Sequence, residues 1–169
     1  MSEIVNRVAN SPLMVFDLED YFPSKQPLAI DLSQWLHEGI ILMEKPFREA
    51  LKNHDWTVYS GQIVGLECLT DAVLPAWAYL LVSSYVLPQT LYVYQAPLKQ
   101  VITLYYQDLL KNLDYAAYQN KAVILKGCSK KAVPTEAYVL ALKNLQPVAK
   151  SVMFGEACSA VPIFKKLNH

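Results

Sequence analysis

The sequence predicts an α/β fold: a single layered domain, with a mostly parallel or mixed sheet flanked by helices and an internal duplicated strand-loop-helix unit. Three observations lead there. Short apolar runs rich in β-branched residues alternate with segments of helical apolar spacing from about Leu28 to Phe154. Strand-helix-strand succession of this kind builds parallel sheets covered by helices. One phrase is also written twice, as "LECLTDAVLPAWAY" from Leu66 to Tyr79 and as "KGCSKKAVPTEAY" from Lys126 to Tyr138. At 169 residues, with no charge run or low-complexity stretch to mark a boundary, residues 1–169 read as one domain.

Taken in order, "LMVFDLEDYF" reads as an N-terminal strand, and "MVFDLEDYF" against "PLAIDL" as an antiparallel hairpin. A sheet with that hairpin is similar to the anti-sigma-factor antagonist (STAS-like) architecture, without a specific motif of it. "EKPFREALKN" has helical spacing, and "QIVGLEC" is a short strand buried on both faces. A helix then runs from about Pro75 to Leu87, with the proline in its first turn, where a missing N–H costs nothing. "TLYVYQ" is a strand, "PLKQVITLYYQDLLKNL" a helix and "KAVILKGC" a second two-sided strand beside the first. A helix from about Pro134 to Leu145 and a strand at "SVMFGE" complete the alternation.

The doubled phrase extends beyond the cysteines. Lys52, Asn53, Asp55, Trp56 and Tyr59 match Lys111, Asn112, Asp114, Tyr115 and Tyr118 at an offset of 59 residues. Gly127 makes the offset 60 at Cys68 and Cys128, and it returns to 59 at Pro75 and Pro134. Helix end, turn, strand, cysteine, loop and helix all take part, which marks duplicated units of about 40–96 and 99–160.

Composition excludes several classes. Fifteen Lys plus Arg balance fifteen Asp plus Glu, so no basic field draws nucleic acid. "MSEIVNRVAN" has neither the basic start nor the apolar run of a signal peptide, which predicts a cytoplasmic protein with reduced thiols. The uncharged stretch "AVLPAWAYLLVSSYVLP" is shorter than the roughly 20 residues of a membrane span and fits a helix buried on most sides or at a subunit contact. No phosphate loop, G-x-G-x-x-G or G-x-S-x-G motif is present.

The chemistry on offer is that of Cys68, Cys128 and Cys158. The unit places Cys68 and Cys128 at the carboxyl ends of two strands, the end where open α/β sheets bind ligands, and Cys158 follows the last strand in the same way. On adjacent strands, roughly 4.8 Å apart, such thiols converge. Three thiolates, with Asp71 or Glu156 as a further ligand, suit zinc or an iron-sulfur cluster. The spacing lacks C-x-x-C, and small apolar cysteine also packs well at strand ends. A metal-free alternative is an anion or thiolate site at a helix N-terminus, made by Gly127, Ser129, Pro134 and Thr135, where Gly127 lets a ligand approach the backbone.

Other candidates have plainer readings. His54 beside Asp55 offers an acid-base pair, but its counterpart Leu113 points to a capping or solvated position. Asp17, Glu19, Asp20 and Asp31 offer a carboxylate cluster for a divalent ion, or the exposed face of an alternating strand. Tyr92, Tyr94, Tyr105 and Tyr106 form a local aromatic group that suits packing.

The phrases "EIVNRVANSPLMVFDLEDYFP", "TDAVLPAWAYLLV", "KGCSKKAVPTEAYV" and "LQPVAKSVMFGEACSAVPIFKK" give the chain, over nearly its full length, a resemblance to the bacterial (Bacteroidetes) family catalogued as domain of unknown function 2480. The resemblance implies no particular reaction. It implies genes near those of Suf-type iron-sulfur cluster assembly, hence iron-sulfur assembly proteins as partners, and it carries over to Cys128 in "KGCS" and Cys158 in "EACS". The leading expectation is a non-enzymatic cytoplasmic accessory protein of iron-sulfur or sulfur metabolism with a cysteine-bearing rim. The alternatives are an interaction module that self-associates and whose cysteines are structural, and a small-molecule enzyme with Cys128 as nucleophile.

Overall fold

The structure is a computed structural model that describes residues 13–127 and 130–167. Among these residues, strands and helices follow in chain order as β1 (Leu13–Asp17), β2 (Leu28–Asp31), α1 (Glu44–Asn53), β3 (Val64–Glu67), α2 (Ala76–Val86), β4 (Val93–Gln95), α3 (Leu98–Asn112), β5 (Ala122–Lys126), α4 (Thr135–Leu145), β6 (Ser151–Phe154) and β7 (Val161–Lys165). Short 3-10 turns follow β1 and β2 and precede β3 and β5. The chain is mixed α/β, as expected. Its contacts divide it into two compact units: unit 2, Pro23–Tyr105, and unit 1, drawn from the chain on either side up to Phe22 and from Tyr106.

Unit 2 holds a parallel sheet in the order β2-β3-β4. Val64, Gly65 and Leu66 are all buried, because the sheet is covered on both faces. On one face, Val64, Leu66 and Ile30 pack with Phe47 and Leu51 of α1 and with the Ala78, Val82 and Val86 stripe of α2. Side chains four apart fall on one side of a helix, which is why that stripe can be continuous. On the other face the first turn of α3 closes on Gly65, where a Cβ would lie 2.7 Å from Val101 Cγ2 and 3.1 Å from the Ala96 carbonyl.

Unit 1 holds the order β1-β5-β6-β7, parallel except for the antiparallel β7. Val123, Ile124 and Leu125 are buried in the same two-sided way. Phe16 stacks with Tyr21 and Tyr115, and Tyr106 donates its hydroxyl to the Leu18 carbonyl at 2.7 Å.

The offset of 59 read from the sequence reappears in the hydrogen bonds. Trp56 Nε1 donates to the Leu51 carbonyl at 2.8 Å, and Tyr115 Oη donates to the Leu110 carbonyl at 2.8 Å. Asp55, the N-cap of a 3-10 turn, accepts from Thr57 N–H, and Asp114, one residue before the next such turn's N-cap, accepts from Ala116 N–H. Gly61 and Asn120, both at positive φ, donate to the carbonyls of Gln89 and Val148.

Three expectations are corrected. β3 and β5, read as neighbours, stand in different sheets. The N-terminal hairpin does not form, because β1 pairs in parallel with β5 and β2 in parallel with β3. "VPIFK", which carries no assignment from the sequence, is β7. Pro75 and Pro134 sit one residue before their helices, as N-cap residues.

Candidate functional site

The carboxyl end of β3 leads into Cys68, and there unit 2 opens a crevice of about 550 Å³. Its walls come from the β3-α2 loop, from α2 and from the β4-α3 loop, and they include Cys68, Thr70, Asp71, Tyr79, Gln95 and Lys99. Crevices beyond the carboxyl ends of parallel strands are where open α/β sheets place ligands, since the loops there are free to carry function while the strands carry the core.

The loop that bears Cys68 is held from below. Asp31, the last residue of β2, accepts from Leu69 N–H at 3.0 Å and from Ser33 N–H at 3.0 Å, with Ser33 Oγ on its other oxygen. Partial burial pushes the Asp31 carboxyl up, but the bonds from Ser33 and Leu69 outweigh it and hold it below the usual carboxylate value. Thr70 Oγ1 donates to the Gly39 carbonyl at 2.6 Å and lies 3.4 Å from Cys68 Sγ. Burial, followed by the nearness of Cys68 and Asp31, raises Tyr79 above the ordinary phenol value.

Unit 1 has the same construction with different parts. Glu19, 7% exposed, accepts from Lys130 N–H at 2.7 Å and from Lys131 N–H at 3.4 Å, while Lys131 Nζ returns to the Glu19 carbonyl at 2.8 Å. A buried carboxylate thus pins the loop after β5 as Asp31 pins the loop after β3. Above it, Lys126 pairs with Asp17 at 3.3 Å and reaches Glu156 at 3.9 Å, and those partners raise the Lys126 pKa.

The sequence-derived residues distribute as follows. Cys68 is half-buried and shares its crevice with Asp71. Cys158 is exposed in the β6-β7 turn beside Glu156, whose carbonyl accepts from Ser159 N–H. Cys128 and Ser129 lie outside the described residues. Gly127, at φ +151°, admits Leu18 and not open space: a Cβ there would lie 2.7 Å from Leu18 Cβ. Pro134 caps α4 without a side-chain hydrogen bond, and Thr135 Oγ1 lies 3.3 Å from Glu136 Oε2. The strands that lead to Cys68 and Cys128, β3 and β5, are not adjacent, so strand adjacency does not bring the two cysteines together. Among the described residues no three His, Cys, Asp or Glu side chains are grouped to hold a metal ion.

The carboxylate cluster does not assemble either, because Asp17 and Asp31 cap turns at the ends of strands in different sheets, and Glu19 is buried in a 3-10 turn where an exposed strand face was expected. His54 ends α1, its ring packed against Trp35 and Trp56 and its Nε2 3.3 Å from Tyr59 Oη. Tyr79, Lys99 and the pinning role of Glu19 escape the sequence reading. The one available signal was the recurrence of an aspartate at the strand end, Asp17 in "FDLED" and Asp31 in "AIDLS", which marks the turn but not the Glu19 side chain.

No helix among the described residues is long and apolar enough to cross a membrane. No curated protein and no solved structure matches the chain. The family model described as "Protein of unknown function (DUF2480)" matches residues 2–166, and the chain belongs to that family.

Proposed function

We propose that this protein is a cytoplasmic, non-catalytic accessory protein of sulfur metabolism that carries sulfane sulfur on Cys68, in the crevice of unit 2. The observation that supports this reading is the placement of a half-buried thiol inside a walled crevice at the carboxyl end of a parallel sheet, on a loop pinned by Asp31. A persulfide needs one thiol, partial shelter from solvent and polar neighbours, and Thr70, Tyr79 and Lys99 supply the last. Zinc, by contrast, takes about four ligands, and although Glu67, Cys68 and Asp71 line the crevice, no three such side chains among the described residues are grouped to hold a metal ion. Sulfur carriage is therefore the better fit to this site, and it keeps the link to iron-sulfur assembly that the family resemblance implies.

In the carrying step the Cys68 thiolate attacks the terminal sulfur of a persulfide or polysulfide donor. The new S–S bond forms as the donor's S–S bond breaks, and the donor leaves as an anion one sulfur shorter.

The test is to expose anaerobically purified protein to a polysulfide donor, remove the excess and measure retained sulfane sulfur by cyanolysis in wild type and in Cys68→Ser. Retention of about one equivalent in wild type, lost in the variant, is the expected result. Equal retention in both, or none in wild type, contradicts the proposal.

A further inference from the structure

We infer that helix α2 is the contact face of a symmetric dimer, its partner a second copy of this chain. The proposed face lies on unit 2, and the inference is independent of the sulfur reading. Both α2 and α4 bury the same stripe, Ala78, Val82 and Val86 in one and Ala137, Ala141 and Leu145 in the other. Their outer faces differ. At the offset of 59, Trp77, Leu80, Ser84 and Leu87 of α2 and its C-cap stand where α4 and its C-cap have Glu136, Val139, Lys143 and Gln146. A helix that faces water carries charge on its outer side, as α4 does. The eleven residues of α2 carry none, yet Leu80 is 69% exposed. The apolar surface continues into the loop that leads to α2, where Val73 is 97% exposed.

The surroundings of the stripe indicate what covers it. Helix α1 lies alongside, with Phe47 against the Trp77 ring and the Arg48 guanidinium over it. The α1 surface carries both signs, in the exposed pairs Glu44 with Arg48 and Glu49 with Lys52. An uncharged stripe flanked by both signs is self-complementary: a two-fold axis sets apolar surface on apolar surface and brings acidic groups of one α1 toward basic groups of the other. A strongly basic or acidic partner would find no matching field, and a chain of zero net charge does not repel its own copy. A stable dimer takes on the order of 800 Å² from each protomer, apolar at the centre and polar at the rim. The α2 stripe with Val73 provides the centre and α1 the rim.

Sedimentation velocity on the full chain over a concentration series tests the inference. Wild type is expected at twice the 19.1 kDa chain mass, Leu80→Glu at the monomer mass, and Val139→Glu, at the equivalent place on α4, at the dimer mass. Leu80 is exposed, so its replacement leaves the core intact, which circular dichroism checks; should Leu80→Glu lose its fold, Ser84→Arg in the same stripe takes its place. A wild type that is monomeric throughout, a dimer that survives charge in the α2 stripe, or one that dissociates with Val139→Glu overturns the inference.

Discussion

The two units solve one problem in two ways. Each holds the loop that follows β3 or β5 through a carboxylate that accepts from that loop's backbone N–H groups. Unit 1 uses a buried carboxylate, Glu19, set inside a 3-10 turn, and closes the space beneath with Gly127 pressed onto Leu18. Unit 2 uses the shorter Asp31 at the strand end, with Ser33 in the place of Glu19, and leaves a crevice beside the loop. The difference teaches that one task, holding the loop after a parallel strand, is met by a carboxylate buried in a 3-10 turn in one unit and by a strand-end carboxylate beside a crevice in the other. The length of one acidic side chain, and whether it sits on the strand or in the turn, accompany that change.

The largest test of the comparison is Gly127→Ala. The new Cβ would meet Leu18 Cβ at 2.7 Å with φ at +151°, and overpacking plus backbone strain should cost about 4 kcal/mol. Gly65→Ala in unit 2 meets Val101 at 2.7 Å without the strained φ and should cost about 2 kcal/mol. Denaturant midpoints measured by circular dichroism read both. An equal or reversed order would mean that the close contact of Gly127 with Leu18 is not special to unit 1.

Next comes Glu19→Ala, which leaves the Lys130 and Lys131 N–H groups without their buried acceptor and should cost about 3 kcal/mol. Asp31→Ala removes a cap and one loop bond at a more exposed site and should cost about 2 kcal/mol. Trp35, Trp56 and Trp77 all lie in unit 2, so tryptophan fluorescence follows the Asp31 variant at its own unit. The Asp31 contribution also has a pH signature. Its folded pKa lies below the ordinary value, so the stabilisation is complete above the unfolded value of about 4 and is lost as pH falls through the folded one. The gap between wild type and Asp31→Ala should therefore be flat near neutrality and close in acid; a gap that widens in acid would contradict the role given to the carboxylate.

The smallest effect is expected where the units agree. Tyr115→Phe keeps the ring that stacks on Phe16 at 5.8 Å and removes the hydroxyl's bonds to the Leu110 carbonyl and the Asn144 side chain, at a cost of about 1 kcal/mol. Burial raises the Tyr115 hydroxyl to about 12, so spectrophotometric titration should find this group still protonated at pH 11. Ionisation near 10 would place the hydroxyl in solvent.

Much of this architecture was legible in the sequence because it is local. The apolar periods of "EKPFREALKN" and "PLKQVITLYYQDLLKNL" are those of α1 and α3, and the prolines before "AWAY" and "TEAY" mark helix starts. Strand partners were not legible. A strand buried on both faces, such as "AVILK", carries no alternation that names its neighbour, and β5 pairs with β1 from more than a hundred residues away, Leu13 facing Ala122. The candidate site followed the same rule. Cys68 was found because strand ends are local, whereas Tyr79 and Lys99 reach the crevice through the fold, and Glu19 reads as an exposed strand residue until the turn that buries it is known.

The most direct measurement of the central claim sets Cys68 against Cys158. The native protein is given a substoichiometric polysulfide donor, alkylated, digested and read by mass spectrometry for the persulfide at each cysteine. Exposure alone favours Cys158, which stands in solvent while Cys68 is half-buried. If the crevice of unit 2 is the sulfur site, Cys68 takes the sulfur ahead of Cys158 and holds it after desalting. Sulfur that follows exposure, first to Cys158 and only later to Cys68, would contradict the account.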